Sequence, residues 1–205
     1  MSESSETVAA PPSTSPTAAP SISSTHVGSG RYYELARMSG NELETVFLRG
    51  RLPTLEALAG WEFRGMNHPA WAKLAGIKKF MKGFFWQGDE LFGYNCPVVQ
   101  DSVEMPWRSK PVGQEPKRFG FYRVAKVDPT AKDNAYLHSV LLNYGEGGNK
   151  AFDPTSGLRD YLVQVDENNP DLYLGKAYFA IGPLRVRSNF FLLERERQVT
   201  GPIVR

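Results

Sequence analysis

Two arginines on predicted strands are the side chains of this 205-residue chain that best fit a buried polar anchor. Arg123 shares a strand face with Phe121, and Arg159 shares one with Tyr161, because alternate residues of a strand point to the same side. A guanidinium inside an apolar cavity holds a carboxylate through two charge-assisted hydrogen bonds. Both arginines are therefore candidate ligand anchors; the alternative is an outward arginine that pairs with surface carboxylates.

Acid–base and metal chemistry have fewer candidates in the sequence. His138 lies in a predicted strand on the same face as Tyr136, and Asp160 follows Arg159. The chain has no His-x-His, His-Glu-x-x-His or Cys/His cluster, so we predict no metal, no other cofactor and no assigned catalytic residue. His138, Asp160 and an inward arginine remain the acid candidates if the protein is an enzyme.

We predict structural roles for Cys96 and for the glycine-rich segment 145–149. Cys96 is the single cysteine, so no intramolecular disulfide can form, and an isolated cysteine is typically a small buried apolar residue. The glycine-rich segment 145–149 lacks the lysine and hydroxyl spacing of a phosphate loop. It predicts a hairpin turn.

The segment 60–86 is unusual because it interleaves large aromatic rings with basic residues. A nucleic-acid or membrane surface would need the rings and lysines on one continuous face. Strand alternation instead divides the lysines between two faces, with Phe80, Lys82 and Phe84 on one of them. We predict a strand, a capping helix over 69–76 and a second strand. The rings then either fill a core or line a ligand cavity.

Composition narrows the class of protein. The chain has 24 basic and 22 acidic side chains and a formal net charge of +2, which does not predict nucleic-acid binding. No apolar run reaches the ~20 residues that span a bilayer, and the first twenty residues lack the basic and apolar regions of a secretory signal. We expect a cytoplasmic protein without a transmembrane segment, and leave peripheral membrane contact and oligomeric state open.

The order of patterns along the chain predicts mainly strands. Residues 1–29 are rich in Ser, Thr, Ala and Pro and predict a disordered tail, 30–198 predict a single folded domain, and 199–205 predict a frayed end. Helices are expected over 39–50 and 53–60, and a long loop over 101–118. The predicted strands are 61–66, 78–86, 91–99, 119–127, 135–144, 158–165, 172–181 and 184–194. Short strands at such spacing indicate an antiparallel barrel or sandwich.

Four segments carry a resemblance to a known family. They are LAGWEFRG, FDPTSGLRDYL, LYLGKAYF and FFLLERER, within residues 45–195. Their order resembles the bacterial GXWXG-type domain with its companion domain of unknown function and, more distantly, the calycin barrels of lipocalins and fatty-acid-binding proteins. The first segment departs from the motif, since Trp61 follows Gly60 directly. The resemblance implies a closed or nearly closed barrel with an interior cavity and implies no chemistry.

These observations lead to one main hypothesis and two alternatives. We predict an all-β, calycin-like antiparallel barrel of about 8–10 strands that binds a small hydrophobic ligand, with or without an anionic group, such as a fatty acid. The predicted cavity residues are Trp61, Phe63, Phe80, Phe84, Phe121, Tyr136, His138, Tyr161, Tyr178, Arg123 and Arg159. The alternatives are a cyclase, isomerase or hydratase in the same barrel, and a protein-interaction module that uses the loop 101–118.

Overall fold

The barrel consists of eight antiparallel strands in chain order, and the last strand closes on the first. The computed structural model describes residues 27–68, 76–150 and 152–205. The strands are β1 Trp61–Asn67, β2 Lys79–Gln87, β3 Glu90–Pro97, β4 Phe119–Lys126, β5 Val140–Asn143, β6 Leu158–Gln164, β7 Leu172–Ile181 and β8 Leu184–Gln198. This architecture confirms the predicted antiparallel barrel.

Three helices precede the barrel, and each begins after a hydroxyl residue. They are α1 Gly30–Arg37, α2 Gly40–Arg49 and α3 Leu55–Leu58, and two 3-10 turns follow at Tyr144–Glu146 and Pro154–Gly157. The Ser39 hydroxyl accepts from the Glu42 amide while the Glu42 carboxylate accepts from the Ser39 amide, which is a capping box. Among the described residues, no helix is long and apolar enough to cross a membrane.

Several predicted boundaries shift in the structure. β5 begins only at Val140, because the Ser139 amide and hydroxyl both donate to the Tyr136 carbonyl and form a turn there. β8 continues to Gln198, which pairs with Trp61, so the chain is still in the sheet there. Helix α1 was not predicted.

Two predicted features fall largely outside the described residues. The predicted tail is described only from residue 27, and within it Ser29 caps α1. The predicted capping helix over 69–76 is described only at Gly76.

The barrel interior is filled at one end. Alternation along the strands turns Phe63, Phe84, Tyr122 and Tyr173 inward, and all are buried. Their rings meet edge to face, with centroids 5.4 Å apart for Phe63 and Phe84 and 5.5 Å for Phe63 and Tyr173. Leu58 of α3 joins this cluster at the end of the barrel where β1 begins, so side chains close that end.

The outer surface of the barrel is also covered. Helices α1 and α2 place Leu35, Leu43 and Phe47 on the outward side chains of β7 and β8, among them Leu174 and Leu192. The strands are therefore apolar on both faces over part of their length. Strand alternation alone does not identify the inner face of such a strand.

Lys79 anchors the long loop that follows β3 to the outside of the barrel. Its ammonium donates to Asp101 at 2.5 Å, to the carbonyls of Ser102 and Met105 at 3.0 and 3.1 Å, and lies 4.4 Å from the ring centroid of Trp107. Trp107 is buried, and its indole N–H donates to a β1 carbonyl at 3.1 Å. The loop is thus part of the packed structure.

We expect Lys79→Met to loosen this loop without opening the barrel. The change removes the donor that these loop oxygens share, at a cost of about 1–3 kcal/mol in the free energy of unfolding. Hydrogen–deuterium exchange should quicken over residues 100–110 and stay slow in β5 and β6. Lys78→Met is the matched control, because Lys78 is exposed. Equal exchange in the two variants would contradict the anchoring role of Lys79.

Candidate functional site

The end of the barrel opposite α3 contains a cavity of about 230 Å³. Ile77 and Phe119 lie at its mouth and are 51% and 40% exposed, so the cavity opens to the surface between them. Its wall is mostly apolar and includes Phe80, Leu158, Ala177, Phe179 and Phe191. Its polar residues are Lys82, Asn95, Tyr144 and Asp160, with Asn67, Thr155, Ser188 and Asn189. A concave apolar site with a few converging polar groups is the usual form of a small-molecule site.

Two inward glycines make room for the aromatic wall. A Cβ atom on Gly65 would lie 2.2 Å from the ring of Phe80, and one on Gly175 would lie 2.1 Å from the ring of Phe191. The rings therefore lie flat over neighbouring strands, with their centroids 5.9 Å apart. The glycines are needed here for close approach, since any larger residue would push these rings into the cavity.

A buried polar cluster lies at the inner limit of the cavity. The Lys82 ammonium lies 3.3 Å from Asp160 Oδ2, donates to Asn95 Oδ1 at 3.0 Å and contacts the Tyr144 hydroxyl. Tyr144 donates to Asp160 Oδ2 at 3.3 Å, and Asn95 donates to the Gly120 carbonyl at 2.9 Å. Among the residues that the structure describes, Asp160 Oδ1 receives no hydrogen bond.

Burial shifts the pKa values of the two charged groups of this cluster in opposite directions. Desolvation lowers the pKa of Lys82 below its usual 10.5, and the attraction of Asp160 offsets this only in part. Desolvation likewise raises the pKa of Asp160 above its usual 3.8, against the attraction of Lys82. Both shifts favour the uncharged forms, so the proton that the two groups share can move between them at a smaller cost than in water.

Tyr144 stays protonated beside them. Burial first, and then the charge of Asp160, raise the pKa of its phenol well above the usual 10.0. The hydroxyl is therefore a donor to Asp160 at neutral pH and an acceptor from Lys82. This fixed orientation joins three groups that can hold or pass a proton.

The structure separates the predicted cavity residues. Phe80 lines the cavity. Phe63 and Phe84 face inward but pack in the filled end of the barrel. Trp61 lies at that same end, half-buried, with the guanidinium carbon of Arg195 at 4.5 Å from its ring centroid. Of these four rings, only Phe80 could contact a ligand in the cavity.

The predicted residues on β4, β6 and β7 lie on the outside of the barrel, which corrects their assignment to the cavity. Tyr161 and Tyr178 pack beneath α2 with ring centroids 5.8 Å apart, and Tyr136 lies 5.0 Å from the ring of Phe47. Phe121 belongs to the same outer cluster. These positions alternate with inward neighbours such as Asp160 and Leu162 and were assigned to the wrong face. Helix α2 covers the tyrosines there, whereas Phe121 packs against the ring of Tyr94, with centroids 6.2 Å apart.

His138 and the two arginines also lie outside the barrel. The His138 ring donates to the carbonyl of Phe47 at 3.1 Å, near the end of α2. Arg123 donates to Glu90 at 2.8 Å, and Arg159 donates to Asp133 at 3.0 Å. Both arginines line an outer groove of about 800 Å³ over β4 to β6, where Arg123 pairs with Glu146 and Arg159 shares Asp133 with Arg185. Neither can anchor a ligand inside the barrel.

Among the residues of the polar cluster, Lys82, Asn95 and Tyr144 were not singled out for the cavity from the sequence. A signal existed for Lys82, because a lysine between Phe80 and Phe84 on one strand face must share their inward environment. Asn95 had a signal too, because it is the direct cross-strand partner of Lys82 in the β2–β3 hairpin. Tyr144 had none for its contact with Lys82, since only the closed barrel brings the two together. Among the described residues, no group of three or more His, Cys, Asp or Glu side chains could hold a metal ion.

Comparison of the chain with protein-family models, with curated proteins and with solved structures gives no match. The resemblance to GXWXG-type and calycin barrels therefore stays a prediction. The site is interpreted from its own geometry.

The contribution of the buried pair to stability can be measured with a double-mutant cycle of Lys82→Met and Asp160→Asn. Each single change leaves the other charge buried without its counter-ion, and we expect each to lower the free energy of unfolding at pH 7 by about 3–5 kcal/mol. The double variant has no charge to desolvate and should recover most of the loss or exceed the wild type. Urea unfolding of the four proteins measures the cycle, and additive losses would contradict it.

The pH dependence of the same cycle follows from the directions of the shifts. Folded Asp160 keeps its proton above pH 3.8, so its contribution to stability falls as the pH rises from 3.8 through its raised pKa. Folded Lys82 loses its proton below pH 10.5, so the contribution rises again between its lowered pKa and 10.5. The stability of wild type relative to the double variant should therefore be lowest near neutral pH. A difference that does not vary with pH would contradict this.

Proposed function

We propose that this barrel binds a small, mainly apolar and uncharged molecule that carries a hydroxyl or carbonyl oxygen. The observation that carries this proposal is the polar cluster of Lys82, Tyr144 and Asp160 beside an otherwise apolar cavity. An apolar ligand body would replace water at Phe80 and Phe191, and its oxygen would exchange hydrogen bonds with the cluster. This is the reversible binding predicted from the sequence, with a different anchor.

The volume limits the size of the ligand. A cavity of about 150 Å³ can hold benzene, and a water molecule takes up about 30 Å³ of the liquid. The 230 Å³ here suits a ring or short branched chain with one substituent. A long-chain fatty acid would have to leave most of its length outside the mouth.

The charge of the site argues for a neutral ligand. Lys82 and Asp160 together have no net charge, whether the shared proton lies on the amine or on the carboxyl. An anion would have to be desolvated without a compensating cation, because Arg123 and Arg159 lie outside the barrel. A neutral oxygen carries no such cost and can donate to Asp160 or accept from Lys82.

Acid–base catalysis in the same cavity is a second candidate function. Its support is that Asp160 and Lys82 have pKa values shifted toward each other inside a cavity of ligand size. Such a pair can deliver a proton to one atom of a substrate and remove one from another. This corresponds to the isomerase or hydratase alternative, with Asp160 as the acid and Lys82 in place of the arginine.

A matched pair of substitutions on β7 tests ligand binding. Ala177 lines the cavity, whereas Ala180 lies on the outer groove of the same strand. Ala177→Leu should fill the cavity and weaken the binding of benzyl alcohol and cyclohexanol by about tenfold or more, or 1.4 kcal/mol. Ala180→Leu should leave it unchanged. Titration calorimetry and thermal shift give the affinities.

The same titrations test the charge argument. Benzoate and hexanoate have bodies of similar size and should bind wild type more weakly than the alcohols. Equal affinity of Ala177→Leu and Ala180→Leu for the alcohols would exclude the cavity as the binding site. Tighter binding of the anions would exclude a neutral ligand.

A further inference from the structure

We propose that Lys82 forms a reversible imine with a small apolar aldehyde or ketone in the cavity, with Asp160 as the proton carrier for the reaction. This inference rests on the proposed function and deepens it, because it names the carbonyl as the ligand class and a covalent step as its mode of capture. The supporting geometry is a lysine amine within reach of a carboxyl and a phenol, beside an apolar chamber that fits one such molecule.

Aromatic rings surround the Lys82 amine and hold it in place. The Lys82 nitrogen lies 4.7 Å from the ring centroid of Tyr122, 5.1 Å from that of Tyr144 and 5.3 Å from that of Phe191. The side chain is only 3% exposed. An imine is hydrolysed by water, so replacement of the cavity water by the apolar body of the ligand favours the imine over the free carbonyl.

Lys82 and Asp160 can supply and accept every proton that moves during imine formation. The proton on Lys82 passes to Asp160 and leaves a neutral amine, whose lone pair attacks the carbonyl carbon as the C=O π bond opens. One proton of the attacking nitrogen then moves to the new alkoxide oxygen and gives a neutral carbinolamine. Asp160 returns its proton to the carbinolamine oxygen as the C–O bond breaks and water leaves. Asp160 then accepts the last N–H proton. In total, one carbonyl compound and one amine give one imine and one water, with no oxidant or reductant.

Lys82 differs from the other buried lysines of the described chain, Lys79 and Lys176. Lys79 faces outward and is surrounded by loop oxygens. Lys176 also faces outward, where it donates to Glu44 at 2.7 Å and to Tyr136 at 2.6 Å. Neither lines the cavity, so burial alone does not give them access to a carbonyl ligand.

Reductive trapping tests the proposal directly. Benzaldehyde fits the expected ligand size, and sodium cyanoborohydride at pH 7 reduces an imine to a stable N-benzyl amine. Peptide mapping should find N-benzyl-Lys82 forming at least about tenfold faster than N-benzyl-Lys126, because Lys126 is exposed and reacts without preorganisation. Benzyl alcohol, which binds without reacting, should slow the labelling of Lys82 alone.

Two variants, together with benzyl alcohol as a competing ligand that does not react, distinguish imine formation from simple cavity binding. Ala177→Leu should abolish the fast labelling at Lys82, while Lys79→Met should keep it. If Lys82 is labelled no faster than Lys126 while benzyl alcohol still stabilises the protein, the imine is excluded and cavity binding stands. If benzyl alcohol neither stabilises the protein nor competes and Lys82 is not labelled, both are excluded. Fast labelling that benzyl alcohol suppresses supports both.

Discussion

The cost of desolvating Lys82 and Asp160 is the physical constraint on which the candidate site depends. Two charges inside a closed barrel lose more hydration energy than their attraction returns, and the shift of both pKa values toward neutrality reflects that imbalance. The structure reduces the cost with hydrogen bonds from Tyr144 and to Asn95. It does not remove it, because Asp160 Oδ1 lacks a partner among the described residues.

The barrel can contain such a pair because its two ends are built differently. At the α3 end, Phe63, Phe84 and Tyr173 fill the interior with edge-to-face rings. At the other end, inward glycines hold the rings against the wall and leave space in the middle. The filled end supplies apolar burial that stabilises the whole barrel. The cavity end can therefore carry a less favourable polar cluster without loss of the fold.

The sequence could predict the barrel but only part of its interior. Alternation and turn residues located all eight strands, since both are local properties of the chain. The assignment of faces was wrong at Phe121, Tyr161 and Tyr178, because apolar side chains also pack on the outside of the barrel. Helix α2 covers the two tyrosines, and Phe121 packs against Tyr94. Lys82 was recognisable from its inward neighbours on β2. Asn95 follows from the β2–β3 hairpin, in which it pairs with Lys82, and Asp160 was already an acid candidate. The contact of Asp160 and Tyr144 with Lys82 could not be predicted, since they reach it only across the closed barrel.

Lys82 differs from the other two buried lysines of the described residues because it attaches no outer element to the sheet. Lys79 attaches a loop to the barrel, and Lys176 attaches α2 through Glu44, so each connects an outer element to the sheet. The partners of Lys82 are Asn95, Tyr144 and Asp160, which lie on strands or at strand ends. The backbone hydrogen bonds of the sheet already hold these strands together without Lys82. A neutral apolar side chain would pack there at a lower desolvation cost. The pair of Lys82 and Asp160 attaches no outer element and lies beside a cavity of ligand size, which is the arrangement that the proposed binding of a polar oxygen requires.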